Sequence, residues 1–151
     1  TERFNLLIAG YGSKNLENLC KEVSALENVR YFGKMNMKDG LQMSKAADMI
    51  YAMYCKVNAN NIYAAPNKYY EALFLEKPII TTKGTILENK VVNNNIGYVV
   101  EEDVDELRRL IANFDMDDIR VKGENAKNLW KKSFSTYVES FFQERYSKIM
   151  N

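Results

Sequence analysis

Short apolar runs alternate with helical patterns along this sequence, and that alternation constrains the fold more than any other feature. Five runs have the character of buried strands: residues 4–9, 28–32, 48–54, 78–82 and a run that ends near Val100. Strands that alternate with helices form βαβ units, so we predict a parallel sheet covered by helices on both faces. In such a sheet the ligand lies beyond the carboxyl ends of the strands.

The helical patterns lie between these runs and after the last of them. Apolar residues recur at steps of three and four from Leu16 to Leu26, which is typical of one face of an amphipathic helix. Further helices are predicted near residues 41–46 and 68–76, and the chain is predicted to be helical from Val104 onward. A last helical segment is predicted from about Tyr137 to Ile149.

Composition excludes several classes of function. The 151 residues suit one domain, and the net charge of +1 gives no reason to expect nucleic acid or an anionic membrane as a partner. No histidine is present, which excludes a Ser-His-Asp triad and an HExxH metal site. No apolar run approaches the roughly 20 residues of a membrane span. Cys20 and Cys55 have no metal-ligand spacing, and we predict that both are reduced thiols.

The first strand ends in "GYGSKN", which has part of a dinucleotide-binding fingerprint. Asn15 stands where the third glycine is required, and Val29 and Arg30 occupy the region where an acidic residue is expected. We therefore interpret this stretch as a plain strand-to-helix turn. Gly10 and Gly12 stay candidates for a close approach of the backbone to a ligand.

The segment "APNKYYEALFLEKP" predicts a helix with almost no solvated side and one carboxylate, Glu71. Asn67 is a suitable N-cap, but Glu71 lies one position too late for a capping box, and Lys68 precedes it in the weaker orientation for an ion pair. Either a donor in the protein or a ligand must satisfy the carboxylate. The helix should begin at the carboxyl-end side of the sheet, where its N–H groups and Lys68 favour an anion. A sugar nucleotide would place its diphosphate there and a ribose diol against Glu71; a solvated lysine is the alternative for Lys68.

The same segment, "PNKYYEALFLEKPIITTKGT", resembles the donor-binding segment of family 4 glycosyltransferases with the GT-B fold. The runs "FNLLIAGYG", "ENVRYFG", "AADMIYAMY" and "NNNIGYVVEEDVDELRRLI" are similar to other segments of that family in the same order. The resemblance covers nearly the whole chain. It implies an α/β fold, a Rossmann-like parallel sheet flanked by helices and followed by C-terminal helices. That arrangement is the C-terminal half of a GT-B fold, here a single donor-binding domain over residues 1–151.

The resemblance also implies a function. The chain would bind a nucleotide diphosphate sugar donor, and the sugar would pass with retention to an acceptor hydroxyl, in surface polysaccharide biosynthesis. Glu71 matches the glutamate that binds the ribose hydroxyls, the loop after Phe32 contacts the base through its backbone, and "TTKGT" borders the diphosphate and sugar. The donor-binding residues implied are Asn67, Lys68, Glu71, Gly84, Thr85, Gly12, Gly33 and Lys34. No metal and no cofactor is implied, and no catalytic residue is identified.

We expect the chain to be a piece of a longer polypeptide, because it opens with Thr1 and a strand-like run starts at Phe4. The acceptor, a glycan or lipid-linked sugar, would bind to an absent domain, so the isolated chain should be inactive. The resemblance implies a cytoplasmic protein, with any contact to the inner face of a membrane made through the absent domain. A missing first strand would leave an unpaired sheet edge and an apolar patch, so we expect self-association.

Two other interpretations stay open. One is a non-catalytic doubly wound α/β module that binds a nucleotide or has a regulatory role. A receiver domain of this kind would need aspartates at strand ends, where Gly10 and Cys55 stand here. The other is a sugar-nucleotide epimerase or dehydrogenase, which would need an intact dinucleotide fingerprint.

Overall fold

The computed structural model describes residues 4–63 and 66–140. The chain divides into two compact units, Thr1–Ala47 and Asp48–Asn151, and each is described by itself. The single donor-binding domain over residues 1–151 stays a prediction.

The first unit contains two strands and two helices: β1 (Leu6–Ile8), α1 (Lys14–Val23), β2 (Val29–Tyr31) and α2 (Met37–Ala46). β1 pairs with β2 in parallel, with Leu6 opposite Val29, so β1, α1 and β2 form a βαβ unit. Side chains cap both helices, since Ser13 accepts a hydrogen bond from the N–H of Leu16 and Asn36 accepts one from Asp39.

The apolar stripe of α1 is present, but it is exposed. Leu16, Leu19 and Leu26 are 52%, 54% and 58% exposed, and none of the residues of α1 is buried. On the first strand, Leu6 is also exposed. The prediction of a buried first strand is therefore wrong for Leu6, which is 47% exposed.

The second unit contains three strands and six helices among its described residues. They are β3 (Ile50–Ala52), α3 (Ala59–Tyr63), α4 (Asn67–Phe74), β4 (Ile79–Thr82), α5 (Ile86–Asn94), β5 (Gly97–Val100), α6 (Val104–Ala112), α7 (Met116–Ser133) and α8 (Tyr137–Ser140). The sheet order is β3-β4-β5, and both pairs are parallel. Every residue of β4 is buried, which is typical of a central strand with both faces covered.

One hydrophobic core joins this sheet to the helices around it. Its buried members come from β3, α4, β4, α5 and α7 and from the residue before β5: Ile50, Ala52, Tyr69, Ala72, Leu73, Ile79, Leu87, Val91, Ile96 and Ala126. Two glycines allow the closest approaches. A Cβ on Gly97 would overlap the carbonyl oxygen of Ile79 on the neighbouring strand. A Cβ on Gly123 would lie 2.8 Å from the carbonyl oxygen of Glu76.

The predicted α/β architecture is confirmed, and the five predicted strands are present, each shorter than its apolar run. Three helices differ from the prediction. α5 was not predicted, and α3 forms in a stretch that reads as a polar loop. α2 begins at Met37, earlier than predicted, because Asn36 caps it. Of the last predicted segment, only α8 lies within the described residues, and its continuation to Ile149 lies outside them.

Candidate functional site

In the first unit, the loops that follow β1 and β2 are tied together. The N–H of Gly10 donates to the carbonyl oxygen of Gly33 at 2.8 Å. The hydroxyl of Tyr31 donates to the carbonyl oxygen of Gly10 at 3.0 Å. Both glycines have positive φ angles, +142° and +67°, which other residues rarely adopt. The ammonium group of Lys34 lies 4.9 Å from the centre of the Tyr11 ring, a cation–π contact. Gly33 and Lys34 therefore lie at the carboxyl ends of the strands, as predicted.

Gly12 lines a small cavity of about 150 Å³ in the same unit. Its N–H donates to the Glu17 carboxylate over 3.4 Å, so a carboxylate already faces this turn. A Cβ on Gly12 would lie 2.9 Å from the end of the Leu16 side chain. Burial and the nearby Glu17 raise the pKa of Tyr31, which keeps its phenol protonated and able to donate to the Gly10 carbonyl.

In the second unit, α4 begins at Asn67, and Pro66 takes the N-cap position in an extended conformation. The prediction that Asn67 caps the helix is wrong, because Asn67 already belongs to the first turn. Pro66 has no side-chain donor or acceptor, and no side chain caps α4. Of the first N–H groups of this helix, that of Tyr69 donates to the carbonyl oxygen of Pro66 at 3.0 Å, and those before it have no side-chain cap among the described residues.

Lys68 and Glu71 form an ion pair on α4. The ammonium nitrogen lies 2.6 Å from Oε2 of the carboxylate, with the two side chains 48% and 28% exposed. The order of the two residues is the weaker one for an ion pair on a helix and does not favour this contact. The pair forms nevertheless, because side chains three residues apart on a helix lie close enough to meet. A pair this exposed contributes only about 0–1 kcal/mol. Within the described residues, the other oxygen of Glu71, Oε1, has no hydrogen-bond partner.

The turn after β4 carries Gly84 and Thr85. Gly84 has a φ of +79°, and its N–H donates to the Glu88 carboxylate at 2.7 Å. Thr85 is buried and precedes α5, but its hydroxyl donates back to the carbonyl oxygen of Thr82 at 2.8 Å instead of capping the helix. The turn is therefore fixed by its own hydrogen bonds.

A charge cluster that the sequence analysis missed lies at the carboxyl ends of the same strands. Glu101, directly after β5, accepts from the ammonium groups of Lys56 at 3.3 Å and Lys83 at 3.0 Å. The hydrogen bonds from Lys83 and Lys56 lower the pKa of Glu101. The side chain of Lys56 also passes close to the backbone of Gly84. Both lysines beside this turn therefore already have a carboxylate partner.

Tyr54 connects α4 to the end of β4. Its N–H donates to the hydroxyl of Thr82 at 2.8 Å, and its half-buried ring packs against the core. Burial raises the pKa of Tyr54, and the charge of the nearby Glu71 carboxylate raises it further. The sequence analysis did not single out Tyr54. The sequence carries no signal for it, because the predicted strand runs to Tyr54 itself, whereas β3 ends at Ala52.

Of the predicted residues in the second unit, Asn67, Lys68 and Glu71 share α4, and Gly84 and Thr85 share the turn after β4. Tyr54 bonds to Thr82 at the end of the strand before that turn, and the charge of Glu71 contributes to raising the pKa of Tyr54. No group of three or more Cys, Asp or Glu side chains suits a metal ion in residues 4–63 and 66–140. Both cysteines are free thiols. None of the helices in those ranges has the length and apolar character needed to cross a membrane.

Comparisons with known proteins agree with this architecture. The profile of the family "Glycosyl transferases group 1" matches residues 1–131. The chain is similar in fold to WaaG, a glycosyltransferase involved in lipopolysaccharide biosynthesis, with 20% identity and a TM-score of 0.60 over 88% of this chain. It is also similar to AviGT4, a glycosyltransferase involved in avilamycin A biosynthesis, with 20% identity and a TM-score of 0.56 over 92%. The match spans 35% and 42% of those two proteins. No curated protein matches the chain.

Proposed function

The chain belongs to the group 1 glycosyltransferases, and from this membership we propose that it binds the nucleotide diphosphate sugar donor of a retaining glycosyltransferase. The observation that carries the proposal is Glu71. Its carboxylate is 28% exposed and lies on α4, with one oxygen that no described residue satisfies. An ionised carboxylate only accepts hydrogen bonds, so the vicinal hydroxyls of a ribose are suitable partners.

The start of α4 supports the position of the diphosphate. The first N–H groups of the helix have no side-chain cap, and the helix dipole favours an anion there. Lys68 is half exposed and adds a full positive charge in the first turn. We assign the diphosphate to these N–H groups and to Lys68, with Asn67 beside them. When Lys68 binds a phosphate, it leaves Oε2 of Glu71 for the second ribose hydroxyl.

The turn after β4 borders the phosphate and sugar in this proposal. Gly84 exposes backbone in a conformation that a side chain would strain, and Thr85 is held by its hydrogen bond to Thr82. Gly12, Gly33 and Lys34 stay predicted contacts of the donor. They lie in the first unit, on the loops that follow β1 and β2.

Acceptor binding and sugar transfer, the remaining steps of the proposed activity, would require a second domain. The sugar would be transferred with retention to a hydroxyl of a glycan or lipid-linked acceptor, bound by another domain, and the isolated chain would not turn over. We also propose a cytoplasmic location and a role in surface polysaccharide biosynthesis; the stated role of WaaG in lipopolysaccharide biosynthesis supports the latter. Membership of the family favours this proposal over a non-catalytic nucleotide-binding module.

Calorimetric titration with UDP, GDP and ADP tests the proposal. We expect one of these nucleotides to bind, and Glu71→Gln to weaken that binding by about 1–3 kcal/mol, since the ribose loses a charged acceptor. Glu124→Gln is the matched control, because Glu124 is an exposed carboxylate on α7. Unchanged affinity and unchanged thermal stability in Glu71→Gln would contradict the assignment of Glu71.

A further inference from the structure

A tyrosine follows the strand against which the helix of Glu71 packs. Tyr54 follows β3, at the carboxyl ends of the strands, and α4 packs against that strand. The ring of Tyr54 packs against the core to which α4 contributes Tyr69, Ala72 and Leu73. Burial raises the pKa of Tyr54, and the negative charge of Glu71 raises it further, in keeping with the packing of α4 against β3.

The backbone and ring of Tyr54 are held firmly. Its N–H donates to the hydroxyl of Thr82, which is fully buried on the central strand, at 2.8 Å. A hydrogen bond to a buried, fixed acceptor sets the position of the residue, and the packed ring sets the direction of the side chain. The phenol oxygen is therefore presented in one place.

The hydroxyl of Tyr54, by contrast, has no hydrogen-bond partner in the part of the chain that the structure describes. Two other tyrosines show what a structural hydroxyl looks like in this protein. Tyr31 donates to the carbonyl oxygen of Gly10, and Tyr98 donates to the carboxylate of Asp118. The phenol of Tyr54 is therefore available to a ligand.

The chemistry of the two groups is complementary toward a sugar. An ionised Glu71 only accepts hydrogen bonds, a protonated phenol donates one, and each sugar hydroxyl can both donate and accept. We propose that Tyr54 is a second donor-binding residue, whose phenol donates a hydrogen bond to a ribose hydroxyl that itself donates to Glu71. The inference rests on the proposed function and adds a specificity-determining residue to it. Because burial and Glu71 both raise the pKa of Tyr54, the phenol stays protonated at neutral pH.

The test is Tyr54→Phe, which keeps the ring and removes only the hydroxyl. We expect it to weaken binding of the ribonucleotide selected from UDP, GDP and ADP by roughly three- to tenfold, the effect of one lost hydrogen bond. The same substitution should not change the affinity of the 2′,3′-dideoxy form of that nucleotide, which has no hydroxyl to accept the bond. Thermal stability should not change either, since the hydroxyl has no partner in the described residues. Tyr51→Phe is the matched control, because Tyr51 is an exposed tyrosine on β3.

Each outcome separates this inference from the proposed function. If Glu71→Gln weakens binding and Tyr54→Phe does not, the role of Tyr54 is wrong and the donor site stands. If Tyr54→Phe weakens the binding of the ribonucleotide and of its dideoxy form equally, the proposed role of Tyr54 is also wrong. The Tyr54 hydroxyl would then act away from the ribose. If none of the three nucleotides binds to the wild-type protein, both the site and the role of Tyr54 are wrong.

Discussion

Gly97 begins β5 at a point where two strands leave no space for a side chain. It lies opposite Ile79 in the parallel pairing, and a Cβ on Gly97 would overlap the carbonyl oxygen of Ile79. That oxygen belongs to the backbone of the buried central strand, so it cannot rotate away as a flexible side chain can. Any side chain at this position must therefore separate β4 from β5.

We expect Gly97→Ala to lower the free energy of unfolding by about 3 kcal/mol or more, because the overlap involves backbone in the core of the sheet. Gly40→Ala is a matched control. Gly40 lies within α2, where an added Cβ meets no atom within 4 Å. Replacing a helical glycine by alanine where the Cβ has space stabilises by about 0.5–1 kcal/mol. Chemical denaturation of both variants measures the difference, and a Gly97→Ala protein as stable as the wild type would contradict the predicted overlap.

At the scale of elements, a polar cluster joins the end of α5 to α7 and β5. Lys122 on α7 is buried, and its ammonium group donates to Asn95, directly after α5, and to Asp118, both at 2.9 Å. Tyr98 on β5 donates to the other oxygen of Asp118 at 2.8 Å. Asn95 has a φ of +48° and ends α5 in the left-handed conformation. The cluster therefore fixes a helix end and a strand to the longest helix of the unit.

Asp118 should make stability depend on pH in the acid range. The hydrogen bonds from Lys122 and Tyr98 lower the pKa of Asp118 in the folded state. A carboxyl group with a lowered pKa contributes stability above its unfolded value of about 3.9, and that contribution is lost as the pH falls through the folded value. Asp118→Asn should therefore destabilise by about 1–2 kcal/mol at pH 7, since it leaves Lys122 without its charged partner.

The measurement is the free energy of unfolding of both proteins between pH 7 and pH 2. The difference between wild type and Asp118→Asn should be constant above about pH 5 and should shrink below the unfolded pKa of about 3.9. Asp117→Asn is the control, because the Asp117 side chain is 85% exposed and pairs with Arg120 at 3.4 Å, away from Lys122 and Tyr98. A difference that does not change with pH would show that the charge of Asp118 is not involved.

How far the sequence predicts each element depends on how its apolar residues are arranged. β4 could be predicted because its four residues, Ile79–Thr82, are all β-branched and lie between a proline on one side and a glycine turn on the other. α5 could not, because its two buried residues, Leu87 and Val91, are separated by polar ones and give little periodic signal. The cap of α4 shows a different limit. Asn67 and Pro66 are both suited to a helix start, and only the backbone geometry decides which of them lies outside the helix.

The candidate site could also be predicted only in part. Glu71 could be predicted because a carboxylate in an apolar helix requires a partner, and Lys68 because it stands in the first turn. Tyr54 could not, since the run that contains it reads as strand to its end, whereas β3 ends at Ala52. The Lys56–Glu101–Lys83 cluster joins residues up to 45 positions apart, and no local pattern reports such a contact.

At the scale of the whole molecule, the first unit carries surface that a stable monomer would normally cover. Leu16, Leu19 and Leu26 on and after α1 are each more than half exposed, and so is Phe32 after β2. Within the described residues β1 has a partner on one edge only, β2. An apolar helix face and an open strand edge are both surfaces on which other chains assemble.

We therefore expect the chain to self-associate through its first unit. Light scattering coupled to size-exclusion chromatography should give a mass above 17.5 kDa that rises with concentration. Leu19→Glu should shift the population toward the monomer, because it places a charge in the exposed apolar face of α1. Val92→Glu is the matched control, since Val92 is 59% exposed on α5 in the second unit. A monomer at all concentrations would contradict the expectation, and an equal effect of both substitutions would place the contact elsewhere.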